Sequence, residues 1–396
     1  MTDKISYSMT NLPQGWEVKK LEDVCKNSSS NLALKDIKNK SGDYPVFGAS
    51  GIVGYIDFYH KNKECLGIVK DGAGVGRVFV LPKNTSVIGT LNYLEALENT
   101  NLKYLFYFLY SIDFSKYILG SAIPHIYFRD YKKEQIPLPP LKEQERIVGI
   151  LDESFAKIDE SIKILEQDLL NLDELMQSAL QKAFNPLKDN AKENYKLPQG
   201  WEWKNLGEIC FITDGTHKTP NYIETGIPFL SVKNISKGFF DLSDVKYISL
   251  EEHNKLIKRA KPEFGDILIC RIGTLGKAIK ISLEFEFSIF VSLGLLKPKV
   301  KIISDYLVYF LNSYFIEGWI NDNKVGGGTH TAKLNLNILE KCPVVLPPFK
   351  EQEQIASHLD ELSSHVKNLK QNYQAQIKDL QELKNSLLDK AFKGNL

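Results

Sequence analysis

Two stretches of this chain place a cation directly behind a turn of small residues. VKDGAGVGRV (69–78) reaches Arg77, and CRIGTLGKAI (270–279) reaches Lys277. Glycine lets a backbone approach phosphate closely, and a cation beside it offers charge or, from arginine, a two-pronged grip on guanine. Lys70, Arg271 and Thr274 lie in the same two stretches. A second pair repeats the idea: GSAIPHI (120–126) and GTHTAKL (328–334) set His125 and Lys333 equally far ahead of Pro139 and Pro347, with Lys324 and His330 nearby. DGTHKTP (214–220) and SVKNIS (231–236) add Thr216, His217, Lys218, Lys233 and Asn234. Asn and hydroxyl side chains can read base edges, but they also cap turns. Any one of these loops reads equally well as an ordinary surface turn. Their pairing across the chain favours nucleic-acid contact.

Catalytic patterns are missing from the text. There is no GxxxxGK[ST] phosphate loop. GAGVGR (72–77) is glycine-dense, but it is not GxGxxG and reads as a hairpin turn between strands. Asn185-Pro186-Leu187 is not the Asn/Asp-Pro-Pro-aromatic strand end of an amino-methyltransferase. The seven histidines show no HxxxH or HExxH spacing, so no metal site is expected. Five cysteines without a CxxC pair argue against a disulfide framework and for a reducing, cytoplasmic location. No run of eighteen apolar residues suggests a membrane helix, and the first residues lack an apolar signal core. The chain is expected not to be an enzyme, and to bind no cofactor itself.

The positioning elements are written twice. LPQGWEVKKLEDVC (12–25) returns as LPQGWEWKNLGEIC (197–210), and LPPLKEQERIVGILDE (138–153) returns as LPPFKEQEQIASHLDE (346–361). The second pair closes with SALQKAF (178–184) and SLLDKAF (386–392) in one register. A repeat of this size is a duplicated domain and not a solenoid. Each copy holds an opening motif, a globular stretch and a long helix. Apolar residues at 151, 155, 158, 162, 165, 169, 172, 176, 179 and 183 step by four and three, a heptad seam. The second helix keeps such a seam from 355 to 391, with Tyr373 in it and polar Gln376 and Lys384 beside it. Some 40 residues give a rod of roughly 60 Å, and each rod is the nearest partner for the other. The expected division is 1–140 globular, 141–184 helix, 185–348 globular and 349–396 helix, with a polar linker at 185–196. Strands are expected across 44–60 and 64–82, a core helix at 101–119, another near 304–320, and a last strand before each Pro-Pro pair. The fold class is α+β: two domains with mixed or antiparallel sheet, separated by two long helices pairing as an antiparallel coiled coil.

Charge follows the same division. Residues 1–140 carry 17 basic and 14 acidic side chains and residues 185–348 carry 21 and 18, whereas 141–184 carry 5 and 10. The mildly basic globular parts are the ones suited to meet nucleic acid.

LPQGW before each half, LPPLKEQERI and LPPFKEQEQI at the helix starts, and the DGTH, GIPFLSVKNI and GDILICRIGTLGKA text together resemble the specificity subunit of a type I restriction–modification system. The resemblance covers nearly the whole chain. It implies two target-recognition domains, each reading one half of a split, asymmetric site in double-stranded DNA, with the helices fixing the distance between them. It implies docking of two modification subunits that carry S-adenosylmethionine and of two restriction subunits that use ATP and Mg. Glu143, Gln144, Glu351 and Gln352 open the two helices, where acidic side chains suit the helix dipole and where a modification subunit would dock. Two other readings stay open: a duplicated coiled-coil adaptor joining protein partners, and the DNA-reading subunit of a methyltransferase without a restriction partner.

Overall fold

The computed structural model describes residues 12–396 apart from 39, 121, 185–196 and 328–331. The linker reading at 185–196 and the expected site residue His330 lie outside the described residues. The chain forms two compact units. One runs to Glu166 and takes in Tyr373–Leu396, and the other is Gln167–Asn372. Each unit therefore joins a globular part to the near end of its own long helix and the far end of the other.

The first unit contains β1 (Glu17–Lys20), α1 (Leu21–Val24), β2 (Cys25–Ser29), α2 (Leu34–Ile37), β3 (Tyr44–Gly48), β4 (Gly51–Ile56), β5 (Cys65–Val69), β6 (Val78–Leu81), β7 (Ser86–Val87), β8 (Leu91–Ala96), α3 (Leu102–Ser111), α4 (Phe128–Tyr131), β9 (Gln135–Leu138) and the start of α5 (Leu141–Ala183). A four-stranded sheet has the order β2-β8-β5-β6, a three-stranded sheet β4-β3-β7, and β1 pairs with β9. All pairings are antiparallel except β3 with β7.

The second unit contains β10 (Glu202–Asn205), α6 (Leu206–Ile209), β11 (Cys210–Asp214), β12 (Ile227–Leu230), β13 (Lys246–Ile248), α7 (Leu250–Leu256), β14 (Ile267–Cys270), β15 (Ala278–Lys280), β16 (Ser288–Ile289), β17 (Leu293–Pro298), α8 (Ser304–Leu311), α9 (Tyr314–Asn323), α10 (Leu336–Leu339), β18 (Pro343–Leu346) and the start of α11 (Phe349–Phe392). Its sheets are ordered β11-β17-β14-β15, β13-β12-β16 and β10-β18. This is the topology of the first unit strand for strand, with β12 and β16 parallel as β3 and β7 are.

The repeated words of the sequence meet in space. In each unit the LPQGW turn packs on the Pro-Pro pair ahead of the long helix: a Cβ on Gly15 would touch Pro140, and one on Gly200 would touch Pro348. The buried Tyr104 hydroxyl donates to the Pro137 carbonyl at 2.6 Å, and Tyr306 does the same to Val345 at 2.7 Å. Tyr107 donates to Asp152 on α5, and Tyr309 to Asp360 on α11, each at 2.7 Å. Each long helix is thus clamped to its own globular part.

The far helix ends plug the opposite globular parts. Phe392 of α11 lies edge-on to Tyr104 and Phe108 in the first unit, and Phe184, just past α5, does so against Tyr306 and Phe310 in the second. Lys384 pairs with Asp159 in the first unit and Lys370 with Asp173 in the second. Residue numbers rise on one helix as they fall on the other, so the pairing is antiparallel, as expected. The α5 seam is buried or half-buried throughout. On α11 the seam deviates: Leu369 and Leu383 are exposed, while Lys384 turns inward, its ammonium 4.7 Å from the Phe155 ring centroid. A lysine stem can cover apolar surface while its charge finds a partner, which is why a simple apolar count misplaced the seam.

Two expected helices are shorter than the sequence suggested. The helix over 101–119 ends at Ser111, and the Asp113 carboxylate caps a separate 3-10 turn at Phe114–Tyr117. The helix near 304–320 is split at Asn312, whose amide donates to Ala278 and Val308 carbonyls and accepts from the Ala278 N–H. A polar side chain that bonds to backbone competes with the helix at such a point.

Candidate nucleic-acid interface

The two paired loops of each half are neighbours. In the first unit, β5 ends at Val69 and β6 begins at Val78. The turn between them closes through Gly76 N–H to Val69 O at 2.9 Å. Lys70 O accepts from Ile126 N–H at 2.9 Å, and Asp71 bridges His125. In the second unit, Gly276 N–H closes on Cys270 O, Arg271 O accepts from Leu334 N–H, and Ile272 bridges Lys333. Backbone pairing therefore brings Arg77 and Lys70 near His125, and Lys277 and Thr274 near Lys333. Gly76 and Gly276 precede the cations with φ of +83° and +80°, and a Cβ there would strike Phe114 or Ile320. Both the left-handed backbone and the close approach require glycine.

The cations differ in their neighbours. Arg77 is exposed and donates through Nη1 to the Ala49 carbonyl at 3.0 Å. Lys70 and His125 are half-buried, with His125 Nδ1 3.2 Å from the Ile123 carbonyl. Lys277 is half-buried, and its stem lies against Gly238. Thr274, Lys233 and Lys333 are exposed, and exposed Lys324 donates to Asn321 at 2.9 Å. A cleft of about 480 Å³ gathers Thr274, Lys277 and Lys324 with Ser313, Glu317 and Asn321 of the second unit.

Several expected contacts are instead part of the scaffold. Arg271 is 8% exposed, and its guanidinium is paired with Asp214 and donates to Leu334 and Val291 carbonyls. Asp214 is also bound by Arg259, and by His217 Nε2 at 3.0 Å. Burial pushes the Asp214 carboxyl up, but hydrogen bonds from Arg259 and His217 and the Arg271 charge outweigh it and hold it below the usual carboxylate range. Asn234 is 4% exposed and staples its own loop, so it is not a base reader. Thr216 and Lys218 close a hydroxyl turn, the Thr216 Oγ1 accepting from Lys218 N–H at 3.2 Å. His217 and Lys218 remain exposed.

At the helix openings the two glutamines are corrected in the same way. Gln144 is fully buried: it accepts from Asn101 N–H at 2.7 Å and donates to the Asn99 and Pro139 carbonyls. Gln352 accepts from Ile303 N–H at 3.1 Å and donates to the Pro347 carbonyl. Glu143 is bound by Arg146, and Glu351 accepts from Trp201 Nε1 at 2.8 Å. The glutamines have no face for a docking partner, because all their polar atoms tie the helix to its own domain.

Sequence reasoning named His125 but missed exposed Tyr127 and Arg129 beside it. His125 lies 5.0 Å from the Tyr127 ring, and the Arg129 guanidinium sits 4.4 Å over it. The signal was legible as H-x-Y-x-R, but only the structure places it next to Lys70. Among the described residues no His/Cys/Asp/Glu group could hold a metal ion, and no helix is long and apolar enough to cross a membrane.

Comparison with known proteins places this arrangement. The family model for the type I restriction modification DNA specificity domain matches residues 13–169 and 198–379. The EcoBI specificity subunit of Escherichia coli is 27% identical over 295 residues, covering 69% of this chain and 61% of that protein's length. The MjaIX specificity subunit of Methanocaldococcus jannaschii is 23% identical, covering 97% of this chain and 94% of its own. Two solved structures share the fold. A chain from work on complex assembly and conformational transition of the type I R-M system has a TM-score of 0.75 at 22% identity, covering 98% of this chain and 100% of its own. The HsdS subunit from Thermoanaerobacter tengcongensis has a TM-score of 0.56 at 21% identity, covering 99% of this chain and 100% of its own.

Proposed function

The chain belongs to the family of type I restriction modification DNA specificity domains, and we propose that it is the non-catalytic DNA-recognition subunit of such a system, with each unit reading one half of a bipartite, asymmetric site in double-stranded DNA. The observation that carries the reading is the matched construction of the two loop pairs. Each unit joins a Gly-cation turn to a second loop by backbone pairing, Asp71 with His125 in one and Ile272 with Lys333 in the other. The side chains around those bridges differ: Arg77, Lys70 and His125 in one unit, Lys277, Thr274 and Lys333 in the other. A shared frame with different loop chemistry suits two different half-sites. Phosphate contacts by the lysines would fix register, and the exposed Arg77 guanidinium would be the group to grip guanine.

The chemistry would come from partners. Modification subunits would bring S-adenosylmethionine, and restriction subunits would bring ATP and Mg. The docking surface would be exposed side chains of the long helices and not the buried glutamines at their starts. The test is methylation sequencing of host DNA with the chain co-expressed with its modification subunit. A bipartite asymmetric motif that vanishes on deleting the chain is the expected result. An unchanged methylome would refute the role and leave a protein-joining adaptor.

A further inference from the structure

The β12–β13 connection of the second unit is built as a rigid display loop. Asn234 holds it from within. Its Oδ1 accepts from Ser231 N–H at 2.9 Å, and its amide donates to the Asp241 carbonyl at 3.0 Å and the Asp244 carbonyl at 3.4 Å. The Asp241 carboxylate takes Lys237 Nζ at 2.6 Å and the Ser243 hydroxyl at 2.6 Å. Val232 N–H donates to Ser292 Oγ at 3.1 Å, fastening the loop to the segment ahead of β17. Phe240 and Val245 pack onto a core cluster, yet Phe239 is 58% exposed and Leu242 40% exposed. The first pair serves the core, and the second is left largely in water.

The loop lies against the cation turn. A Cβ on Gly238 would come within 2.9 Å of the Lys277 stem, and one on Gly273 would touch Val232. In the first unit the β3–β4 turn occupies the equivalent place in the sheet order, where Ala49 accepts from Arg77. Exposed Ile52 and Val53 follow that turn. Both units therefore carry exposed apolar side chains on, or just after, the connection that touches the loop cation, and the connections differ in length. In a DNA major groove, the apolar feature that a base edge offers is the thymine methyl group.

We propose that the β12–β13 connection is a preorganised base-reading element in which Phe239 packs on a thymine methyl group of the second unit's half-site. The proposal rests on the DNA-reading role above and adds the residue and the chemical group it recognises. A loop already fixed by Asn234 and Asp241 loses little further entropy on binding.

The test uses the full chain with its modification subunit and the motif found by methylation sequencing. Each thymine of both half-sites is replaced singly by uracil, which lacks only the methyl group, and binding is measured. The parent chain should lose about fourfold in affinity at one thymine, the value of one buried methyl group. Phe239→Ala should bind the thymine duplex about fourfold more weakly and no longer distinguish uracil there, while Phe239→Leu should keep part of the discrimination. Equal discrimination in Phe239→Ala and parent, or none at any position, overturns the proposal. A 2-aminopurine unstacking signal that depends on Phe239 without uracil discrimination would also overturn it, in favour of a wedge between base steps. If the parent chain shows no motif-specific binding at all, the DNA-reading role itself fails, a distinguishable outcome. Phe239 is exposed, so an unchanged melting temperature should accompany both variants.

Discussion

Replacing Phe392 by alanine should loosen the first unit and spare the second. Phe392 is 1% exposed and sits four residues from the chain end, yet it lies in the core of the first unit with Leu21, Tyr104, Phe108 and Ile136. Its ring meets Tyr104 at 5.3 Å and Phe108 at 5.5 Å between centroids, both edge-on. Truncating a buried phenylalanine to alanine costs about 3–5 kcal/mol through lost transfer energy and the cavity left behind. Each aromatic pair adds about 0.5–1.5 kcal/mol to what is removed. The upper half of the range is expected, because neighbours fixed by α3 and β9 cannot collapse into the gap. Phe184, 3% exposed against Tyr306 and Phe310, is the matched position in the second unit. Hydrogen exchange resolved by peptide is the suitable assay, since a chain of two units does not guarantee one two-state transition. Phe392→Ala should raise exchange in α3, β9 and the last turns of α11 by the factor that 3–5 kcal/mol implies, about a hundredfold or more. Phe184→Ala should do the same in α8, β18 and the last turns of α5. If either variant costs under about 1 kcal/mol, or opens both units equally, then the helix ends are not the plugs described here.

Four further outcomes are expected. Gln144→Ala and Gln352→Ala should each destabilise by about 2–4 kcal/mol in denaturant unfolding, since each strands buried backbone groups; loss of partner assembly with unchanged stability would instead restore the docking reading. The Asp214 carboxyl is held low in the folded state, so its contribution is present above about pH 4, the unfolded value, and is lost as pH falls through the lowered folded value; Asp214→Asn should flatten that acid limb in melting curves against pH. The thiols of Cys25, Cys65, Cys210, Cys270 and Cys342 are all buried and pushed up to about 12 by burial, so an aromatic disulfide reagent should label none of them until the chain unfolds. Arg77→Ala and Lys277→Ala should each weaken specific DNA binding, and a variant that removes a phosphate contact should reduce the slope of log affinity against log salt by about 1.

The frame was legible because it is written as contacts between repeated words. LPQGW and LPP recur in the sequence because they touch in each unit, and the tyrosines that clamp each helix recur for the same reason. The heptad seam of α5 was legible because burial there is set by apolar side chains alone. The α11 seam was not, because Lys384 buries a stem and pairs a charge, and hydropathy scores only one of the two. The helix breaks at Asn312 and Asp113 depend on polar bonds from one side chain to distant or local backbone, which no periodicity carries.

The loops that carry the candidate residues were legible, and which of their charged and polar side chains the fold itself consumes was not, for one physical reason. A surface arginine and a buried one have the same letter, and the difference between Arg77 and Arg271 is made by a partner 57 residues away, Asp214. Asn234 has the composition of a base reader, but its carbonyl and amide are consumed by the loop that contains it. The same bonds give its neighbour a role. A loop fixed by an internal staple can hold Phe239 in water, and a side chain held exposed at that cost is better explained by what it meets than by what it folds. Residues that type alone would nominate for DNA thus divide into those that build the loop and those the loop presents, and only the second group should change specificity without changing stability.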